Sequence, residues 1–220
     1  MPPDENADFV AAMERGLDGY ERPEAPKRPV VATDERPVQL HKDLRPPVPA
    51  KPGRIARRDY AYKRVAGVSA FLFTIPPQRW HRGSLREHRT AIDSAEEVKY
   101  LLDEVYTETE RVTVVCHHLN THTLKPLYKA FPPEEALRSA SRLEIVYTPK
   151  QGSGANIAEM ELSVFPRQRL NRRIPDLLTL RSQVAAWQAH RNPTTGPVDS
   201  QFRTQDARIK LKRLYPKTRN

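Results

Sequence analysis

Proline constrains this chain more than any other residue type. It occupies 21 of 220 positions, against eight glycines, and much of it is clustered. The ring fixes φ and removes a backbone donor, so each cluster interrupts helix and sheet alike. The segment Glu21–Pro29 carries three prolines and predicts a stiff extended connector. Arg45–Gly53 predicts a second irregular stretch. Regular structure must lie between these breaks.

The apolar pattern supplies it. Phe9, Met13, Leu17 and Tyr20 recur at helical spacing after Asp8, an expected helix cap. Val30–Thr33 predicts a short strand ending directly at Asp34-Glu35, and Val65–Ile75, rich in β-branched and aromatic residues, predicts a buried strand. Arg79–His88 pairs with the latter as a hairpin through Pro76-Pro77. Asp93 and Ser94 begin a helix to Tyr106 with Val98, Leu101, Leu102 and Val105 on one face. Val112–Cys116 is a strand ending at His117-His118. Two helices, Leu124–Phe131 and Glu134–Leu143, flank Pro132-Pro133. Leu143–Tyr147 is a further strand, closed by Pro149 and a Gly152-Ser153-Gly154 turn. A helix from Asn156 is expected to break or kink at Pro166, another runs from Pro175-Asp176 to about Trp187, and the tail from Asp206 predicts an amphipathic helix with a cationic outer face. Strands alternating with helices after a hairpin predict an α/β fold with a mixed sheet.

Hydrophobic residues make up 38% and charged residues 29%, a composition that folds, and the length suits one domain. The longest apolar stretch, Val65–Ile75, is about half the ~20 residues of a membrane span, so no membrane partner is expected. The acidic first ten residues lack the features of a secretory signal, and a single cysteine, Cys116, excludes an intrachain disulfide and a Cys₄ or Cys₂His₂ zinc set. A reducing cytoplasm is the expected compartment. The 37 Lys and Arg against 27 Asp and Glu give a net charge of +10, which favours a polyanionic partner such as DNA. Arg54, Arg57, Arg58, Lys63 and Arg64, interleaved with Tyr60 and Tyr62, form one candidate phosphate-binding cluster; Lys210, Lys212, Arg213, Lys217 and Arg219 form another.

In α/β sheets, reactive groups gather at the carboxyl ends of strands. Asp34, His117 and Glu159 have that context, Glu159 in the first turns of a helix. Carboxylates so placed can hold hard cations such as Mg²⁺, which activate water and stabilise a leaving oxygen in phosphodiester cleavage. Read alone the signal is weak: an Asp after a strand is usually a turn residue or helix cap, and a Glu early in a helix usually complements the macrodipole. Cys116, His117, His118 and His122 also suggest a transition-metal set. Along an extended strand, however, Cys116 and His118 point one way and His117 the other, so no closed tetrahedral set forms. His122 is expected to order the loop after the strand.

LNTHTLKPLYKAFPPEEA (Leu119–Ala136), RLEIVYTPKQGS (Arg142–Ser153), AEMELSV (Ala158–Val164), RRIPDLLTLRSQVAAW (Arg172–Trp187) and DARIKLKRLYP (Asp206–Pro216) resemble the transposases of bacterial insertion sequences in the mariner-like DDE superfamily. FVAAMERGLDGY, TDE and YAYKR extend the resemblance over nearly the whole chain. It implies a ribonuclease H-like mixed sheet flanked by helices, with an Asp, Asp, Glu triad binding two divalent metals, Mg²⁺ or Mn²⁺, and no small-molecule cofactor. It implies DNA as partner, cut at transposon ends and joined to a target. The expected organisation is an N-terminal helix and connector over 1–29, a catalytic domain over 30–192 and a basic tail over 193–220.

Carried over residue by residue, the first catalytic Asp falls on Asp34, followed by Glu35, and the third carboxylate on Glu159. Glu161 is its rival, but two residues rotate a helix by about 200°, so only one of the pair can face the metals. The second Asp belongs where the family reads V-M-D-N-L-N-T-H; here the sequence is VVCHHLNTH, with His117 at the Asp position and His118 at the following Asn. An imidazole offers one nitrogen lone pair where Asp offers charge and oxygens, so metal binding is expected to be weak or lost. Gly154-Ala155 in place of Trp-Leu, Ser200 in place of a Trp, and Pro166 in the helix bearing Glu159 are further departures. The helix-turn-helix modules that family members carry ahead of this region are not in the sequence, so specific end recognition is not expected. Two functions follow: an impaired transposase catalytic domain, or an inactive fragment that binds DNA non-specifically, pairs with itself, or interferes with an intact transposase.

Overall fold

The computed structural model describes residues 2, 4–23, 25–75, 80–117, 122–150, 152, 156–194 and 202–217. The turn expected at Pro76-Pro77, His118, Gly154-Ala155 and Ser200 lie outside them, as do Ser153 and Gly154 of the expected Gly152–Gly154 turn. Five strands, β1 (Val30–Asp43), β2 (Tyr62–Ile75), β3 (Trp80–Arg86), β4 (Val112–Cys116) and β5 (Leu143–Tyr147), form one sheet in the order β3-β2-β1-β4-β5. The β1–β2 and β2–β3 pairs are antiparallel, and the β1–β4 and β4–β5 pairs parallel. The helices are α1 (Ala7–Glu21), α2 (Ala91–Tyr100, continued as a π-helical turn over Leu101–Val105), α3 (Lys125–Ala130), α4 (Pro133–Ser141), α5 (Ile157–Arg169), α6 (Leu177–Thr194) and α7 (Thr204–Lys210).

The second half of β2 is buried on both faces, and strand alternation divides it between two cores. Ala70 and Leu72 join Val38, Leu162, Phe165, Leu180 and Trp187 under α5 and α6. Phe71, Phe73 and Ile75 join Val31, Val112, Val114 and Cys116 against Leu101 and Leu102. A separate small core joins the chain ends, with Phe9, Val10, Met13 and Leu17 of α1 packed on Ala207 and Leu214. In the tail Ile209 is exposed, because the buried face follows the helical spacing of Ala207, Leu211 and Leu214 rather than strict alternation.

Several expectations are corrected. β1 does not end at Asp34 but continues nine residues, paired with β2 from Ala32↔Thr74 to Asp43↔Tyr62. Pro37 lies beyond the level where the parallel β4 neighbour ends, and proline is tolerated where a strand becomes an edge. β2 likewise begins earlier, with an exposed half over residues 62–67. The α1 cap is Asn6, whose side chain accepts from the Phe9 N–H, and not Asp8. Thr90 caps α2, with Asp93 closing a capping box from the third helical position. Pro166 does not end α5, which runs on to Arg169, with Leu170 N–H donating to the Pro166 carbonyl; the proline lacks the N–H that would bond to the Leu162 carbonyl one turn earlier. α6 starts as expected, with Asp176 Oδ1 accepting from Thr179 N–H at 2.7 Å, but runs seven residues past Trp187.

Candidate functional site

The β1–β4 register builds the site. Ala32 is level with Val115, so continuing both chains by two residues brings Asp34 level with His117, where the parallel pairing ends. Alternation sets direction: Val31 faces the α2 core, while Ala32 packs on Ile157 and Ala158 of α5. Asp34 follows Ala32 toward α5, and Glu35 follows Val31. Asn156 ties α5 to this level. Its Nδ2 donates to the Thr33 carbonyl at 3.2 Å, and its Oδ1 caps the helix by accepting from Ala158 N–H at 3.1 Å. Glu159, in the first turn, thereby projects over the strand ends.

Three side chains converge. His117 Nε2 lies 3.7 Å from Asp34 Oδ2 and 3.5 Å from Glu159 Oε2, and one ligand atom from each of the three falls within 4.8 Å of the others. The Asp34 side chain is 10% exposed and that of Glu159 41%, so the cluster is floored by protein and open on one side. Burial pushes the Asp34 carboxyl above the usual Asp range; the Glu35 N–H it accepts at 2.8 Å and the His117 ring oppose that rise, and Glu159 adds to it. Glu159 Oε2 is buried without a hydrogen-bond partner.

Glu35 and Glu161 face elsewhere. Glu35, 1% exposed at its side chain, lies 3.3 Å from Arg89 Nε and 3.8 Å from His122 Nε2. His122 Nδ1 bonds to the His117 carbonyl at 3.1 Å, and its own carbonyl accepts from Tyr147 O–H at 2.7 Å, so this histidine links the end of β4 to β5. Burial would lower the His122 pKa, but its hydrogen-bonding contacts with Cys116 and Glu35 outweigh that and raise it to about 10. Glu161 is buried beneath α5, 2.5 Å from Arg191 and 3.3 Å from His81 Nε2. Its pKa is held down by those partners against the opposing effect of burial.

Two positioning residues were not picked out as such in the sequence: Asn156 and Thr148. Thr148 is 2% exposed, and its Oγ1 sits 3.1 Å from His117 Nδ1 and 3.4 Å from the Cys116 carbonyl. A polar residue directly after a buried strand was the available signal. The donor set does not fit two Mg²⁺ ions: it holds two carboxylates and an imidazole, where a hard octahedral ion takes oxygen.

The basic clusters occupy different elements. Lys63 and Arg64 lie on the exposed part of β2, where Lys63 is paired directly with Lys42 and Arg64 with His41. Arg57 bridges to Val48 through its backbone, and Arg58 lies 3.4 Å from Asp43. Lys210, Lys212 and Arg213 are exposed on α7 and the 3-10 turn after it. Among the described residues no helix is long and apolar enough to cross a membrane.

Sheet order, flanking helices and an acidic cluster at the end of the β1–β4 pair define a ribonuclease H-like domain. Residues 29–181 match the model of the DDE superfamily endonucleases, and the chain belongs to that family. Similar solved structures include the mariner Mos1 paired-end complex with Mg (TM-score 0.63, 15% identity, covering 99% of this chain and 66% of that one) and the corresponding complex with Mn (0.59, 14%, 99% and 66%). The Mos1 transposase paired-end complex with left transposon end gives 0.55 at 16% identity, over 90% of this chain and 58% of that one. At these identities the likeness is one of fold, and this chain spans less than two thirds of the length of each neighbour. A search of curated proteins finds no match.

Proposed function

We propose that this chain is a transposase catalytic domain acting on DNA, in which Mg²⁺-dependent cleavage and strand transfer are impaired because His117 stands at the second carboxylate position. The observation that carries the reading is the convergence of Asp34, His117 and Glu159 at the strand ends of a DDE-family fold. In that family reading three carboxylates would hold a pair of cations, which would supply activation of the attacking water and stabilisation of the leaving oxygen. Here Asp34 and Glu159 would offer oxygen ligands and His117 nitrogen. The catalytic unit is assigned to residues 30–192, with 1–29 and 193–220 as accessory segments.

DNA contact is supported by the Mos1 neighbours, whose complexes contain transposon ends, and by the β1–β2 ribbon. Lys42 and Lys63 are direct cross-strand partners, and like charges so placed destabilise a sheet. A polyanion laid along the ribbon removes that repulsion. Binding is therefore expected to be backbone-directed and steeply salt-dependent.

The test is nicking of supercoiled plasmid with Mg²⁺ or Mn²⁺, alongside a DNA-retention assay between about 50 and 200 mM salt. The expected result is salt-sensitive retention without Mg²⁺-dependent nicking. Efficient nicking by the wild type in Mg²⁺, abolished by Asp34→Asn, would overturn the impairment, and absence of retention at low salt would overturn the DNA reading.

A further inference from the structure

We propose that Asp34, His117 and Glu159 form a site for a single divalent transition ion of the Co²⁺, Ni²⁺ or Zn²⁺ kind, held in preference to Mg²⁺. The inference rests on reading these residues as the family's metal positions, and it replaces the family's pair of hard ions with one ion of different chemistry.

Geometry is the first argument. Ligands placed 2.0–2.1 Å from a tetrahedral ion lie about 3.4 Å apart. The separations here are 3.5 and 3.7 Å about His117 Nε2, with the full set inside 4.8 Å, so small side-chain adjustments close it around one ion.

Orientation of the ring is the second. Thr148 has one hydroxyl proton, and its Oγ1 lies within reach of the Cys116 carbonyl, which can only accept. With that proton directed to the carbonyl, Oγ1 accepts from His117 Nδ1–H. The Nε2 lone pair then faces the two carboxylates. An imidazole whose distal N–H is fixed by a protein oxygen is the usual arrangement of a metal-bound histidine. With the Nε2 lone pair so directed, three electron-rich atoms converge on one point, and a cation between them offsets their mutual repulsion.

Donor type and donor number complete the case. Imidazole suits Co²⁺, Ni²⁺ and Zn²⁺, whereas Mg²⁺ takes oxygen in a strict octahedron. The nearby carboxylates that could have held a second ion, Glu35 and Glu161, are turned away and matched with Arg89 and His122, and with Arg191 and His81. The open face, marked by the 41% exposure of the Glu159 side chain, leaves room for water or a phosphate oxygen on the ion.

The competing arrangement is a protonated His117 bridging both carboxylates with no metal. Co²⁺ titration of the full chain separates the two, because bound Co²⁺ reports its ligand field in visible absorption and native mass spectrometry counts ions. The expected result is one Co²⁺ per chain, resistant to a tenfold excess of Mg²⁺. The absorption should be lost in Asp34→Asn and Glu159→Gln, and binding should weaken about tenfold in Thr148→Val. His117→Asp should shift the Co²⁺-to-Mg²⁺ preference at least tenfold toward Mg²⁺. Glu159→Gln, at a half-exposed position, guards against variants that fail to fold, and circular dichroism checks each. Displacement of Co²⁺ by equimolar Mg²⁺, or a spectrum unchanged in Asp34→Asn and Glu159→Gln, overturns the inference. A wild type without Co²⁺ beside a His117→Asp that binds Mg²⁺ overturns it while leaving the family reading intact. No metal in any folded form removes both.

Discussion

Glu159 and Glu161 are two residues apart on one helix and carry the same charge, yet the structure assigns them opposite energetic roles. Glu161 is 9% exposed at its side chain, against the Arg191 guanidinium and the His81 ring, and His81 lies edge-on to Trp187 with ring centroids 5.6 Å apart. Glu161→Ala leaves a largely buried guanidinium without its carboxylate, and breaking a buried pair in this way costs about 3–5 kcal/mol. For a domain of this size each kcal/mol is worth about 2–4 °C, so the melting temperature should fall by roughly 6–20 °C. Glu159→Ala removes a half-exposed carboxylate that raises the pKa of Asp34, a like-charge contact, and should change stability by less than about 1 kcal/mol. Thermal unfolding by circular dichroism at neutral pH compares them directly. Acidification supplies a second readout. The Glu161 pKa is depressed in the fold, so its contribution is complete above its ordinary value of 4.5 and is lost as pH falls through the lower folded value. Wild type should therefore lose stability over that window more steeply than Glu161→Ala. Equal melting temperatures for the two variants, or a larger loss for Glu159→Ala, would refute the assignment of which glutamate faces the core.

Three further outcomes are expected. His117→Asp supplies a third carboxylate, and Mg²⁺ at about 100 times its dissociation constant should add about 2.7 kcal/mol, a rise of roughly 5–10 °C; an equal Mg²⁺ shift in wild type, melted side by side, would dissociate position 117 from the metal. Lys63→Ala with Arg64→Ala should weaken DNA binding uniformly across sequences and reduce the logarithmic salt slope by about two, read from titrations at several salt concentrations, whereas an unchanged slope would place the DNA elsewhere. Asn156→Ala should cost about 0.5–2 kcal/mol as a lost helix cap and weaken metal binding by loosening Glu159; calorimetric titration against Glu159→Gln measures the second effect.

Much of the sheet is written locally. Val112–Cys116 and Leu143–Tyr147 match β4 and β5 residue for residue, because each is a short run dominated by apolar and β-branched residues whose ends are marked by polar residues or proline. The extent of β1 was not legible. Past Asp34 its sequence carries Arg36 and Pro37, which read as a break, and it remains a strand only because β2 pairs with it on one side. The placing of the third carboxylate on Glu159 and not Glu161 rested on the family resemblance for a related reason: local pattern does not fix how α5 is rotated about its axis. A trace existed in the apolar stripe Ala158, Leu162 and Phe165, which places Glu161 on the buried side, but a glutamate there reads as an error until His81 and Arg191 arrive from β3 and α6 to neutralise it. By itself the sequence determined which residue types can sit at the strand ends, including the imidazole at position 117, since local pattern and residue chemistry need no partner. Only the tertiary structure decided that Asp34, His117 and Glu159 share one point, because that depends on the parallel register of β1 and β4 and on Asn156 docking a helix more than a hundred residues away in the chain.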